Sequence, residues 1–86
     1  MYFVYVIYST VFERHYVGLS QDVHKRLQEH NSGNTKSTKG FVPWIIIHTE
    51  TYATLAEARK REKYLKSAAG RRWRKENLKW PRSSTE

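Results

Sequence analysis

Arg26 and His30 stand one helical turn apart within HYVGLSQDVHKRLQEH, residues 15–30. Both flank an apolar edge made by Val23 and Leu27 on the same side. Farther along, Glu62 interrupts a stripe of Leu55, Ala58, Leu65 and Ala69 whose spacing is that of one helix face. Two tyrosines complete the set: Tyr5 lies inside a strand-like run and Tyr16 opens a second. Arginine can hold a phosphate through two parallel hydrogen bonds. A single carboxylate, with waters and phosphate oxygens, can hold Mg²⁺, which gives up its hydration shell reluctantly. A tyrosine or histidine with a tuned pKa can take a proton from attacking water. Together these are the parts of metal-assisted phosphodiester hydrolysis. Each residue also has a plainer reading. Arg26 can be solvated, and His30 can stabilise the C-terminal end of its helix. Glu62 can be ion-paired with Arg59 or Lys66, and the tyrosines can be packing residues.

The elements that must position these groups are legible in order. YFVYVIYS (2–9) is aromatic and β-branched on both alternations, the pattern of a central strand covered on both faces. TVFERH is a short polar connection, and YVGL (16–19) predicts a second strand paired as an antiparallel hairpin. Gly18 suits a close backbone approach or a special dihedral. Ser20 is the expected N-cap of a helix reaching Asn31, with Asp22 in its first turn. NSGNTKSTKG (31–40) reads as a mobile polar loop. VPWIIIHTE (42–50) predicts a third strand with Pro43 at its start or on an edge. Thr54 and Glu57 form a capping box at the head of a helix over 54–68, with Gly70 placed to end it. A further helical piece is expected over about 71–78. The expected fold is α+β: a small three-stranded antiparallel sheet flanked by helices, in the order β-β-α-β-α-α. One domain over 1–80 and a disordered tail over 81–86 follow.

Composition narrows the partners. Sixteen basic residues against eight acidic ones give +8, with a pI near 10. Basic residues 66, 71, 72, 74, 75, 79 and 82 crowd one stretch that also holds Trp73 and Trp80. That clustering favours nucleic acid over a basic protein without a specific partner. The cluster Arg71, Arg72, Arg74 and Lys75 is a candidate non-specific footprint. Trp73 is either packed under the sheet or free to stack on a base. With no cysteine, a disulfide scaffold, a thiolate metal site and a cysteine nucleophile are excluded. No apolar run approaches the ~20 residues that span a bilayer, so no membrane role is expected. Residues 1–9 show no signal-peptide pattern, and a cytoplasmic location is the default expectation.

At this point the residues resemble the GIY-YIG nuclease superfamily, in particular its small single-domain members and the excinuclease N-terminal domain. The first signature is represented by FVY (3–5) and the second by YVG (16–18). RLQEH supplies the arginine and the histidine four residues later; VPWIIIHTE and EARKREKYLK match the strand and helix that follow. Phe3 and Val4 replace the glycine and isoleucine of the first triplet, and Val17 is a milder change in the second. The resemblance covers about residues 2–78. It implies an endonuclease that hydrolyses DNA with one divalent metal, Mg²⁺ or Mn²⁺, in repair or recombination, with structure-selective action among the expectations. RNA stays open as a substrate, and a partner protein as the targeting device. By position, Glu62 would ligate the metal, Arg26 would hold the scissile phosphate, and Tyr16 would activate water. His30 would be a rival base or relay, and Tyr5 would position water or phosphate. Arg26 and His30 would then stand together because one phosphate meets both. Thr38 and Lys39 are candidate phosphate contacts, and Asn31 is either a supporting donor or a helix stop. The alternative is a nucleic-acid-binding module without turnover.

Overall fold

Alternating apolar residues on both sides of residues 2–9 require cover on two faces, and the chain supplies it. A computed structural model describes residues 1–79. The strands are β1 (Tyr2–Ser9), β2 (Arg14–Ser20) and β3 (Trp44–Tyr52); the helices are α1 (Val23–Asn31), α2 (Leu55–Lys66) and α3 (Ala68–Asn77). Both pairings are antiparallel, in the spatial order β2-β1-β3, with β1 in the middle. This is the expected α+β fold in the expected order. The expected tail, 81–86, lies outside the described residues.

The pleat sorts β1 into two cores. Val4 and Val6 join Val17, Ala58 and Leu65 beneath α2 and α3. Tyr5 and Ile7 join Val23 and Trp44 beneath α1. Each fully buried aliphatic side chain contributes roughly 1.5–3 kcal/mol. With so short a chain, these two thin layers are the main source of stability.

Several boundaries differ from the sequence expectation, each for a local reason. β2 starts at Arg14, because the hairpin turns at residues 10–13 and Ser9 already pairs with Arg14. The N-cap of α1 is Asp22, whose side chain accepts from the Lys25 N–H at 3.1 Å; Ser20 instead accepts from the Asp22 N–H at 3.0 Å. β3 begins after Pro43, at Trp44, and runs on to Tyr52. The capping box of α2 forms as expected, with Thr54 and Glu57 satisfying each other's backbone N–H groups. α2 stops at Lys66, where Ser67 closes one helix and caps the next, accepting from the Gly70 N–H at 3.2 Å. Gly70 therefore lies inside α3 and does not end α2. A Cβ there would sit 2.0 Å from the Tyr64 carbonyl oxygen, so only glycine lets the two helices meet this closely.

The stripe of α2 also shifts. Ala58 and Leu65 are buried, whereas Leu55 and Ala69 are exposed. The loop expected to be mobile is tied down by its own backbone. Thr38 and Lys39 both donate to the Thr35 carbonyl, and Lys39–Phe41 forms a single 3-10 turn.

Candidate active site at the edge of β2

Tyr5 and Gly18 face each other across β1 and β2. An ideal Cβ on Gly18 would lie 2.3 Å from both Cζ and Oη of Tyr5. The glycine of the second triplet is thus the space into which the tyrosine of the first one lies. That places the Tyr5 hydroxyl toward β2, an edge strand, with α1 beyond it.

A chain of neutral groups holds it there. The Tyr5 hydroxyl lies 2.9 Å from His30 Nε2, and His30 Nδ1 lies 2.8 Å from Thr38 Oγ1. The Thr38 hydroxyl donates, weakly at 3.4 Å, to the Thr35 carbonyl. Its oxygen must then accept from His30 Nδ1–H, which leaves Nε2 to accept from Tyr5 O–H. The direction of the whole chain follows. Burial and the charge of Arg26 lower the His30 pKa, which keeps the ring neutral as this chain requires. Tyr5, His30 and Thr38 are at most 1% exposed. The Trp44 indole N–H donates to the Thr38 carbonyl at 3.0 Å. Asn31 clamps the start of β3, accepting from the Trp44 N–H at 2.6 Å and donating to the Trp44 carbonyl at 3.0 Å.

The other candidates gather around Tyr5. Burial pushes its hydroxyl up to about 12; the adjacent Arg26 guanidinium pulls the other way, while Tyr16 and Glu62 add smaller upward pushes. Arg26, Tyr16 and Glu62 are thus all electrostatic neighbours of one hydroxyl, although α1 and α2 cover opposite sheet faces. Tyr5 leans over Gly18 toward the sheet edge, where its hydroxyl feels charges from both sides of the sheet. Arg26 is about one-third exposed and donates to Glu29 Oε1 at 2.7 Å. Tyr16 is half-buried, edge-on to the His30 ring at 5.0 Å and to Trp44 at 6.3 Å. The Glu62 side chain is 22% exposed and pairs with Lys66 at 3.2 Å, the ion pair that its plainer reading foresees.

Three expectations change here. His30 is fully buried with both ring nitrogens engaged, so a phosphate held by Arg26 does not also meet His30. Thr38 is no phosphate contact, because its side chain and carbonyl are both used internally. Lys39, next to it, is exposed. Arg74 is 8% exposed and anchors α3 to the rest of the fold, donating through Nε to the Leu65 carbonyl and through Nη1 to His15 Nδ1, each at 3.1 Å. Arg71, Arg72 and Lys75 do face solvent. Trp73 packs against the Arg61 guanidinium at 4.6 Å and the His48 ring at 5.7 Å, which takes it out of base stacking.

Sequence reasoning missed two supports. One is Tyr5 as the side chain that the close approach at Gly18 admits, signalled only by the opposition of the two triplets. The other is Glu50, which accepts from Arg61 Nε at 2.9 Å and from Nη2 at 3.0 Å, as well as from His48 and Tyr52. That cluster braces α2 one residue before Glu62. Nothing in the local pattern links residues 50 and 61.

Among the described residues no three His, Cys, Asp or Glu side chains gather into a metal cage. Glu62 offers one accessible carboxylate, a donor set that suits a hard cation keeping most of its water. Mg²⁺ or Mn²⁺ fits such a site when waters and a phosphate complete it. Among the described residues no helix is long and apolar enough to cross a membrane.

Similar chains occur in archaea and bacteria. A UPF0213 protein of Halobacterium salinarum is 39% identical over 67 residues, covering 77% of this chain and 86% of the relative. One from Natronomonas pharaonis is 36% identical over 78 residues, covering 90% and 88%. The UPF0213 protein YazA of Bacillus subtilis is 40% identical over 52 residues, covering 59% and 52%. No solved structure matches the chain. The model of the GIY-YIG catalytic domain matches residues 1–77, nearly every residue described above, and the chain belongs to that nuclease family.

Proposed function

We propose that the protein is a divalent-metal-dependent endonuclease that hydrolyses phosphodiester bonds in DNA. The observation that carries this reading is the match to the GIY-YIG catalytic domain, supported by the influence of Arg26, Tyr16 and Glu62 on one buried hydroxyl, that of Tyr5. Arg26 holds the scissile phosphate and offsets the negative charge that grows on its oxygens in the transition state. Tyr16, as the phenolate left when its own proton goes to solvent, takes the proton of the attacking water. The water oxygen bonds to phosphorus as the bond to the leaving sugar oxygen breaks, and that oxygen takes a proton from solvent. Glu62 would hold Mg²⁺ or Mn²⁺, which supplies positive charge beside the same phosphate. Tyr5 orients the phosphate or water from a fixed position, and His30 acts through Tyr5 as a positioning residue. An open edge suits a substrate marked by its structure, and DNA repair or recombination in the cytoplasm is the role we assign to such an activity. A partner protein would supply further targeting.

The test is nicking of labelled duplex, flap and single-stranded DNA with Mg²⁺ or Mn²⁺. Glu62→Ala and Arg26→Ala each lower cleavage by about 10²-fold or more while the unfolding midpoint is kept. Cleavage unchanged in both variants refutes the assignment.

A second reading, a nucleic-acid-binding module without turnover, draws on the exposed cations Arg71, Arg72 and Lys75. It predicts binding to DNA or RNA that ignores Glu62→Ala and no metal-dependent product.

A further inference from the structure

Two hollows adjoin along the outer side of β2. One is lined by Glu13, His15, Arg71, Arg74 and Lys75, the other by His15, Tyr16, Val17, Lys66, Arg71 and Arg74. His15, Arg71 and Arg74 line both, so the two form one trough. Its inner end is Tyr16 with Lys66, whose ammonium pairs with Glu62. Its outer end is Lys75, in the last turn of α3. The lining holds the cations Lys66, Arg71, Arg74 and Lys75 against the single acid Glu13.

The floor is built rather than fluid. Arg74 is buried and fixed at both Leu65 and His15. His15 must present an Nδ1 lone pair to accept from Arg74, and burial together with the Arg74 charge lowers its pKa to about 4. A backbone carbonyl and a neutral imidazole orient the guanidinium without cancelling its charge, so the floor of the trough stays cationic at neutral pH. Arg71 and Lys75 are exposed one turn apart on α3, roughly 6 Å along the helix axis, so each can meet a different phosphate of one strand.

We propose that this trough is a track for the sugar–phosphate backbone, holding phosphates that flank the bond to be cut as the strand leaves past Tyr16 toward Lys75. The assignment of the cut bond rests on the function proposed above; the track itself rests on the trough. Its cations recur along a line that opens onto the candidate centre, which suits a polymer charged at every unit better than an isolated acidic side chain.

The experiment measures binding without cleavage. Fluorescence anisotropy in EDTA follows labelled single-stranded and duplex DNA oligonucleotides across a salt series. Arg71→Gln/Lys75→Gln is compared with Lys36→Gln/Lys60→Gln, which removes the same charge from residues that line neither hollow. The trough variant should bind about tenfold more weakly than the control, and its log–log salt slope should fall by about 1.4–1.8, the release expected for two lost phosphate contacts. Equal affinity and slope in the two variants overturns the proposal. So does displacement of the DNA by polyglutamate at the same charge concentration, which points to an acidic protein instead. A matching unfolding midpoint for both variants ties the result to contacts; amide shifts on DNA addition that avoid residues 66–75 overturn the track by a second route. Because no turnover is read, failure of the cleavage assay leaves this result standing, and failure of the track leaves Glu62-dependent cleavage standing.

Discussion

The two faces of the sheet solve the problem of buried polar groups in opposite ways. Under α1, Tyr5, His30 and Thr38 form a chain of neutral groups, fully buried and passing hydrogen bonds in one direction. Under α2, Glu50 gathers Arg61, His48 and Tyr52 into a charged cluster whose Glu50 and Arg61 side chains stay 17% and 26% exposed. The difference reflects desolvation. A neutral hydroxyl or imidazole can be buried at modest cost once every donor and acceptor is matched, whereas a charge taken wholly out of water costs several kcal/mol even when paired. The neutral chain fixes Tyr5 beside the candidate centre without adding charge of its own. The charged cluster braces the helix that carries Glu62 and uses the rings of Tyr64 and Trp73 to hold Arg61.

The sharpest way to break this contrast is His30→Ala. It leaves a cavity, strands the Tyr5 hydroxyl and removes the donor to Thr38. A loss of about 3–5 kcal/mol in urea unfolding is expected. A loss below about 1 kcal/mol would mean that the chain contributes little to the fold. Next comes Glu50→Gln, expected to cost about 1–3 kcal/mol, less than a fully buried pair because solvent reaches both partners. If its cost exceeds that of His30→Ala, the ranking of neutral over charged network is wrong.

Acid titration of stability gives the most selective effect. His15 has a folded pKa of about 4 against 6.5 unfolded, so the unfolded chain takes up the proton first. Its contribution is complete above pH 6.5 and is lost as pH falls toward 4. His30, also lowered, loses its contribution in the same direction below 6.5. Glu50 behaves differently. Burial pushes its carboxyl up, but bonds from Arg61, His48 and Tyr52 prevail and hold it near 2 against 4.5 unfolded. Its contribution is complete above pH 4.5 and is lost only as pH falls toward 2. Urea midpoints measured from pH 7 to 2 should therefore decline in two stages. His15→Asn should flatten the first stage and Glu50→Gln the second; a single stage unaffected by either change would contradict both assignments.

Local pattern alone determined the element order, the doubly covered central strand, the hairpin and the capping box at Thr54 and Glu57. Each depends on residues close in sequence, through periodicity, turn chemistry or a short-range cap. The family signature residues were readable for the same reason. Tertiary structure decided what each side chain meets. Register placed Gly18 opposite Tyr5, and the loop after α1 carried Thr38 to His30. The return of α3 brought Arg74 to His15, 59 residues away, and turned an expected surface cation into an anchor. Such partners are set by strand order and by the path of the connections. A residue's own neighbours in sequence constrain which face it occupies, and leave open what will be waiting on the other side.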